Sequence, residues 1–395
     1  MKENIIKNKI ITISGQPVTG KSTAVRALKK QLLEKGYEEN NIHIINTGDE
    51  FRKYMETIVE LYENINDTKK MQELKNKKEV QDLVSNEKYR NALIKSYMDV
   101  KIERKDLSNM EISLANSLKE LKDIRGVIDE IIDENIKKMG EEVNQEKREN
   151  EIWIVDSRLA FHNIPDSFAL RLTCDPRIAG ERTFKRVETE KYKTLEEATE
   201  ARERRRIGEQ ERYIERYGVD LEDENNYDLI VDTSYAKPED IGETILTCLD
   251  KYLKNERYGK KWVSPKTLLP LQDERSTLFG FNSLEDIIKS IKEKGYYPSS
   301  EIEVVEVEGK KYIIEGHHRN FGAANLGKTL VPVNVLAKDD EEIPEYRGAT
   351  PRQRAKTLTL GTVIGHEWLI GDNFSYNEVY PGIMNELKKK GDIER

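Results

Sequence analysis

Residues 15–22 read Gly-Gln-Pro-Val-Thr-Gly-Lys-Ser and follow the apolar run Ile10-Ile11-Thr12-Ile13. Glycines at 15 and 20 let the backbone wind into a concave loop whose N–H groups face phosphate oxygens. At that spacing Lys21 reaches the β- and γ-phosphates of a nucleotide, and the Ser22 hydroxyl is placed to ligand Mg²⁺. A helix expected from Thr23 through Leu33 adds its positive N-terminal dipole to the same anion site. The pattern implies a nucleoside triphosphate held by Gly15, Thr19, Gly20, Lys21, Ser22 and Thr23.

Two further elements carry acid and arginine at the ends of apolar runs: Thr47-Gly48-Asp49-Glu50-Phe51-Arg52, and Asp156-Ser157-Arg158. Open α/β sheets place ligands at strand ends, and an arginine fork grips phosphate through two N–H groups. Arg52 and Arg158 are therefore candidates for an acceptor phosphate, and Asp156 for a Mg²⁺ ligand. A basic stretch supplies Arg182, Arg186, the run Arg202-Glu203-Arg204-Arg205-Arg206, and Arg212. On a closing lid such arginines neutralise charge on a transferring phosphoryl group. Taken singly, each reads equally well as part of a solvated helix paired to Glu196, Glu197 or Glu203. A phosphate acceptor is already an anion at neutral pH, so no general base is required.

A third constellation is Glu315-Gly316-His317-His318-Arg319, where an apolar run passes into a helix. Two histidines and an arginine there make an anion site with proton-transfer capacity. Neighbouring histidines in such a turn point apart, which disfavours a metal pair; the alternative is a satisfied polar turn with one His in the core. His366 reads as structural.

The elements that must position these groups are legible as alternating apolar runs and helical periods. Strands are expected at Ile10–Ile13, Ile42–Ile45, Ile152–Val155, Phe168–Leu172 and 227–232, and a closing helix at about 238–254. Between about 53 and 150 lies a proline-free, Lys- and Glu-rich helical insertion, and a lid is expected at about 182–217. Composition changes near 260, placing a first domain at 1–256, a second at 262–340 and a C-terminal extension of unknown role at 341–395. The chain has 395 residues, 35% of them charged, and a net charge of −8 with the signs interspersed, which argues against a generally basic nucleic-acid binder. Cys174 and Cys248 are far apart and read as core residues in a reducing compartment. With no apolar run near membrane-spanning length and no signal segment, a cytoplasmic protein without membrane contact is expected.

The order Ile-Ser-Gly-x-Pro-x-x-x-Gly-Lys-Ser-Thr, Thr-Gly-Asp-Glu-Phe-Arg and Asp-Ser-Arg-Leu-Ala resembles cytidylate kinases of the short, archaeal-like type. So do Arg212-Tyr213-x-x-x-Tyr217-Gly218-Val219-Asp220 and Tyr227-Asp228-Leu229-Ile230-Val231-Asp232-Thr233-Ser234. The resemblance, over about 9–252, implies a P-loop nucleoside monophosphate kinase sheet and transfer of the γ-phosphate of ATP, with Mg²⁺, to CMP or dCMP. It also implies that Lys21 and Ser22 serve ATP and Mg²⁺, that Asp49, Arg52 and Arg158 bind the monophosphate, and that Arg182, Arg186 and Arg205 belong to the lid. The stretch from Leu114 to Asp133, with Asp129 and Asp133 four apart, is similar to that family's monophosphate-binding helices, which adds Asp133. Two departures stand out: Arg205-Arg206 replaces the usual Arg-Glu, and the segment from Phe51 to Ser113 is long.

Residues 265–338 resemble the ParB/sulfiredoxin superfamily through Leu269-Pro270-x-Gln272, Ile287-Ile288-x-x-Ile291-x-x-x-Gly295-Tyr296 and the Glu315–Arg319 turn. That likeness implies a smaller α+β domain binding a second nucleotide or a small metabolite at Glu315, His317, His318 and Arg319, with Glu274 as a candidate acid. It leaves two alternatives to the monophosphate kinase. One is a free-serine-like kinase in the second domain; the other is a nucleotide-sensing or DNA-binding module. The Gly-Glu-Arg-Arg element of chromosome-partition members is missing, and no helix-turn-helix follows residue 340, so DNA segregation is disfavoured.

Overall fold

β-Branched and leucine-rich runs bounded by turn residues become the strands of an α/β protein, and the charged stretches between them become its helices. A computed structural model describes residues 9–106, 122–145, 151–185, 192–272, 284–344, 346, 348–370 and 374–389. Arg186, Glu274 and residues 114–121 lie outside the described residues. The strands pair mostly in parallel. Two compact units divide the chain: Ser14–Glu39 with Phe168–Arg395, and Lys7–Ile13 with Asn40–Ser167.

In the second of these units, β3 (Ile152–Asp156) is flanked in parallel by β1 (Lys9–Gly15) and β2 (Ile42–Asn46). The register aligns Ile13 and Asn46 with Asp156. Helices α2 (Thr47–Glu63), α3 (Thr68–Leu74), α4 (Lys78–Leu83), α5 (Glu87–Asp106), α6 (Lys122–Gln145) and the short α7 (Ala160–Asn163) complete it. Ile124, Val127, Ile128, Ile131 and Ile132 recur at helical spacing along α6 and meet Tyr54, Ile58, Leu83 and Tyr89 in a buried core. Outside it, charged side chains of the helical insertion form surface pairs such as Lys77–Glu60 and Lys88–Glu130.

In the first unit β4 (Phe168–Thr173), β5 (Leu229–Asp232) and β6 (Lys261–Val263) run parallel. β10 (Val331–Lys338) joins β6 antiparallel and β8 (Ile302–Val307) in parallel. β9 (Lys310–Glu315) pairs antiparallel with β8, and the short β7 (Leu268–Leu269) in parallel with β9. Glu308 and Gly309, at φ 51° and 76°, make the β8–β9 turn, in the left-handed pair of conformations that a tight hairpin needs. Hydrogen bonding thus runs without a break across the composition change near 260: Val231 pairs with Trp262, and Val263 with Val331.

Helices α1 (Lys21–Glu34), α8 (Pro176–Phe184), α9 (Leu195–Tyr217), α10 (Pro238–Leu253), α11 (Leu284–Lys294) and α12 (His317–Asn325) belong to the same unit. So do α13 (Pro351–Ala355), α14 (Leu360–Ile370), α15 (Tyr376–Val379) and α16 (Ile383–Lys389). The segment expected as an extension of unknown role is part of a core: Val363, Tyr376, Ile383 and Leu387 pack with Leu269, Val305 and Ile314. Burial pushes the Cys248 thiol up to about 12, as a core cysteine requires. Among the described residues no helix is long and apolar enough to cross a membrane.

Candidate functional site: the loop at 15–22 and its arginines

The loop closes where β1 ends. Gly15, at φ 152°, passes so near Leu172 that a Cβ would lie 2.7 Å from its carbonyl oxygen and equally near Thr19 Oγ1, so no side chain fits. Thr19 is buried and donates its hydroxyl to Gln16 O at 2.8 Å. Gly20, at φ 84° and ψ 18°, caps α1 in the left-handed region that glycine occupies without strain. Val18 lies at φ 60°, which is costly for a β-branched residue and persists only where surroundings impose it. Lys21 Nζ donates to Gly15 O at 2.8 Å, so its charge stands over the loop. Ser22 is exposed, and Thr23 follows it in the first turn of α1, whose N–H groups lack intrahelical acceptors.

The arginines sort by position. Arg182, on α8, donates to Val18 O at 3.4 Å, Thr233 O at 2.7 Å and Ser234 O at 3.2 Å, bracing the loop against the end of β5. Thr233 adds a hydroxyl donated to Thr19 O at 2.8 Å. On α9 the stripe Ala198-Arg202-Arg206 is turned inward, at i, i+4 and i+8. Arg202 is 7% exposed and donates to Gln16 Oε1 at 3.2 Å, while its Nε has no hydrogen-bond partner among the described residues. Desolvation pulls its guanidinium down from the usual arginine value, and the nearby charges of Glu203 and Asp175 offset that only in part. Gln16 Nε2 in turn reaches Glu222 at 3.2 Å, and Arg206 binds the same carboxylate at 2.6 Å together with Glu203. Arg205 points to solvent and pairs with Glu209 at 3.0 Å.

Of the lid arginines expected from sequence, then, Arg182 touches the loop and Arg205 does not; Arg202 takes the inward place. Gln16, Thr233 and Glu222 are functional candidates that motif reading passed over. The signal for Arg202 was available, since it lies four residues past the small apolar Ala198 on one helical face.

In the other unit the register of β2 and β3 gathers a polar group at their ends. Asp156 is 5% exposed and accepts from Asn46 Nδ2 at 3.2 Å, and Thr47 donates to Asp156 O at 3.2 Å. Asn46 also caps α2, accepting from Gly48 N at 2.9 Å and Asp49 N at 3.2 Å, as an Asn before an acidic first turn does. Arg52 and Asp49, three apart on α2, form an exposed ion pair. Asp133 on α6 accepts from Asn163 at 3.0 Å, and Arg125 lies over the Phe51 ring at 5.9 Å. Arg158 is half-buried just past β3. Ser22 and Asp156, the expected Mg²⁺ ligands, belong to different units.

At the 315–319 turn, Gly316 adopts φ 100° and the Arg319 guanidinium folds against it while donating to Glu301 O at 2.9 Å. Glu315 is exposed and His318 half-buried. His317 is buried, and its Nε2 accepts from Leu271 N at 3.1 Å. Burial, with smaller contributions from His366 and His318, pushes His317 down to about 4 from 6.5. The neutral ring therefore holds the 271 segment as a hydrogen-bond acceptor, and its proton-transfer capacity is spent on that contact.

The unfolded chain takes up this proton near pH 6.5, and the folded chain resists it until about pH 4. The contribution to stability is complete above pH 6.5 and is lost as pH falls from there toward 4, by about 3 kcal/mol in all. Urea unfolding between those limits should show that decline in the wild type and little of it in His317→Gln; identical pH profiles would contradict the assignment.

No protein-family profile matches the chain. Among curated proteins, a cytidylate kinase of Thermoplasma volcanium is 34% identical over 64 residues, 16% of this chain and 34% of its own length. A cytidylate kinase of Sulfolobus acidocaldarius is 31% identical over 102 residues, 25% of this chain and 53% of its own. An S-adenosylmethionine-dependent nucleotide dehydratase of Lacinutrix mariniflava is 26% identical over 168 residues, 42% of this chain and 33% of its own. The chain thus spans a third to about half the length of these relatives.

Proposed function

We propose that this chain is an ATP-dependent nucleoside monophosphate kinase, converting CMP or dCMP to the diphosphate. The observation that carries the reading is Arg202, a buried guanidinium beside Gln16 with an unpartnered Nε. A buried donor without an acceptor is rare, and the phosphate oxygens of a triphosphate on the loop would supply one. The two cytidylate kinases among the relatives support the acceptor class, and the short stretches they share leave the base as part of the proposal.

In this reading an oxygen of the acceptor phosphate bonds to the γ-phosphorus of ATP, the bond to the bridging oxygen breaks, and ADP leaves with that electron pair. Lys21 and Arg202 neutralise charge on the transferring group, and Arg182 holds the loop that binds it. Arg52 and Arg158 take the acceptor phosphate, with Asp49 and Asp133 on the rest of the nucleotide. Among the described residues no group of three His, Cys, Asp or Glu side chains is placed to hold a metal ion. Mg²⁺ binds such sites through one or two protein oxygens plus phosphates and water; the Ser22 hydroxyl in the loop and the Asp156 carboxylate at the end of β3 are each proposed as such an oxygen.

The ParB/sulfiredoxin likeness of residues 262–340 also stands as a proposal, with a second nucleotide or small metabolite at His318 and Arg319. Release of ADP from ATP in the presence of each nucleoside monophosphate tests the main reading: CMP or dCMP should support it best, and release indifferent to every monophosphate would refute it.

A further inference from the structure

Helix α8 (Pro176–Phe184) carries a second arginine that no phosphate chemistry requires. Arg177 donates to Val379 O at 2.7 Å and to Glu378 O at 3.0 Å, the carbonyls at the end of α15 (Tyr376–Val379). Carbonyls in the last turn of a helix have no intrahelical donors, and a guanidinium fork satisfies two at once. The N-terminus of α8 is fixed at the same place: Asp175 caps it by accepting from Arg177 N at 2.8 Å, and Asp175 N donates to Ser234 Oγ at 2.7 Å. α15 is itself anchored, since Tyr376 OH donates to Leu268 O at 2.7 Å and Tyr380 OH to Thr267 O at 2.5 Å.

At the far end of α8, Arg182 supports Val18 O and Thr233. Val18 occupies a conformation that a β-branched residue does not keep unaided, so whatever braces it must be rigid. We propose that Arg177 is a positioning residue for triphosphate binding: by clamping α8 to the C-terminal segment 376–380, it holds Arg182, and through it the loop at 15–22, in register. The C-terminal segment is then a working part of the nucleotide site. This rests on the loop binding a triphosphate as proposed above.

Equilibrium binding of a non-hydrolysable ATP analogue with Mg²⁺ to the full chain tests it, in wild type, Arg177→Ala, Arg177→Lys and Lys21→Ala. Arg177→Ala should weaken the analogue about tenfold, the scale of a lost charge-assisted pair of hydrogen bonds, while the KM for the acceptor stays within about twofold. Arg177→Lys, whose ammonium does not reproduce the planar fork across two carbonyls, should recover only part of the loss. If Arg177→Ala does not fold, Arg177→Gln carries the same expectation. Wild-type affinity in the folded variant, or equal weakening of both substrates, would overturn the inference and leave the kinase reading standing. Wild-type affinity in Lys21→Ala would bring down both.

Discussion

Replacing Lys21 by alanine is expected to lower kcat for ADP formation by about 10²- to 10³-fold, with the fold intact. The charge of Lys21 stands over the loop through its 2.8 Å contact with Gly15 O, and the residue is half-buried at the start of α1 rather than in the core. A fixed donor aimed at a transferring phosphoryl group contributes about 3–4 kcal/mol to the transition state, and the loss should appear in kcat in addition to weaker binding of the triphosphate. Steady-state ADP release at saturating CMP, with far-UV circular dichroism as the control for folding, measures it. A variant that keeps a tenth or more of wild-type kcat would show that the loop is not the donor site.

The second large effect separates two arginines only three residues apart. Arg202→Ala should cost about 10²-fold or more in kcat/KM for ATP, because it removes a buried guanidinium and the donor to Gln16 Oε1. Arg202→Lys should rescue little, since an ammonium on a flexible stem does not reproduce the planar fork. Arg205→Ala should stay within about twofold of wild type: its partner Glu209 lies one turn along the same exposed helix, and such pairs contribute only a few tenths of a kcal/mol. Initial rates across an ATP series for the three variants decide the matter. Equal losses at 202 and 205 would mean that α9 closes with a different face toward the nucleotide.

Why residue 202 and not 205 faces the loop shows where sequence reading reaches its limit. Five consecutive residues, four of them arginines, give composition but no orientation; only the periodic company of Ala198 and Arg206 selects the inward face. Strands β1 to β5 were legible because each is an apolar run closed by a turn or a polar cap, and the loop because Gly15 and Gly20 answer local backbone demands. The strand Lys261–Val263 has three residues, too few to carry a period, so its pairing with both Ile230–Val231 and Val331–Val333 was beyond local reading. The described residues between 341 and 389 include short helices whose apolar positions make sense only against Leu269, Val305 and Ile314. The His-His pair was visible, but which ring is buried follows from a long-range contact to Leu271 N. Asn46, by contrast, is legible in the sequence as an N-cap before Thr47-Gly48-Asp49.

In the proposed reaction the γ-phosphoryl group of ATP passes to the phosphate of a nucleoside monophosphate at the 15–22 loop. The most direct measurement is transfer of label from γ-³²P-ATP to CMP, resolved by chromatography, with wild type and Lys21→Ala side by side. The wild type should yield labelled CDP in step with ADP, and Lys21→Ala at most a few per cent of that rate. Labelled inorganic phosphate in place of CDP, or label transfer to CMP that is unchanged in Lys21→Ala, would contradict it.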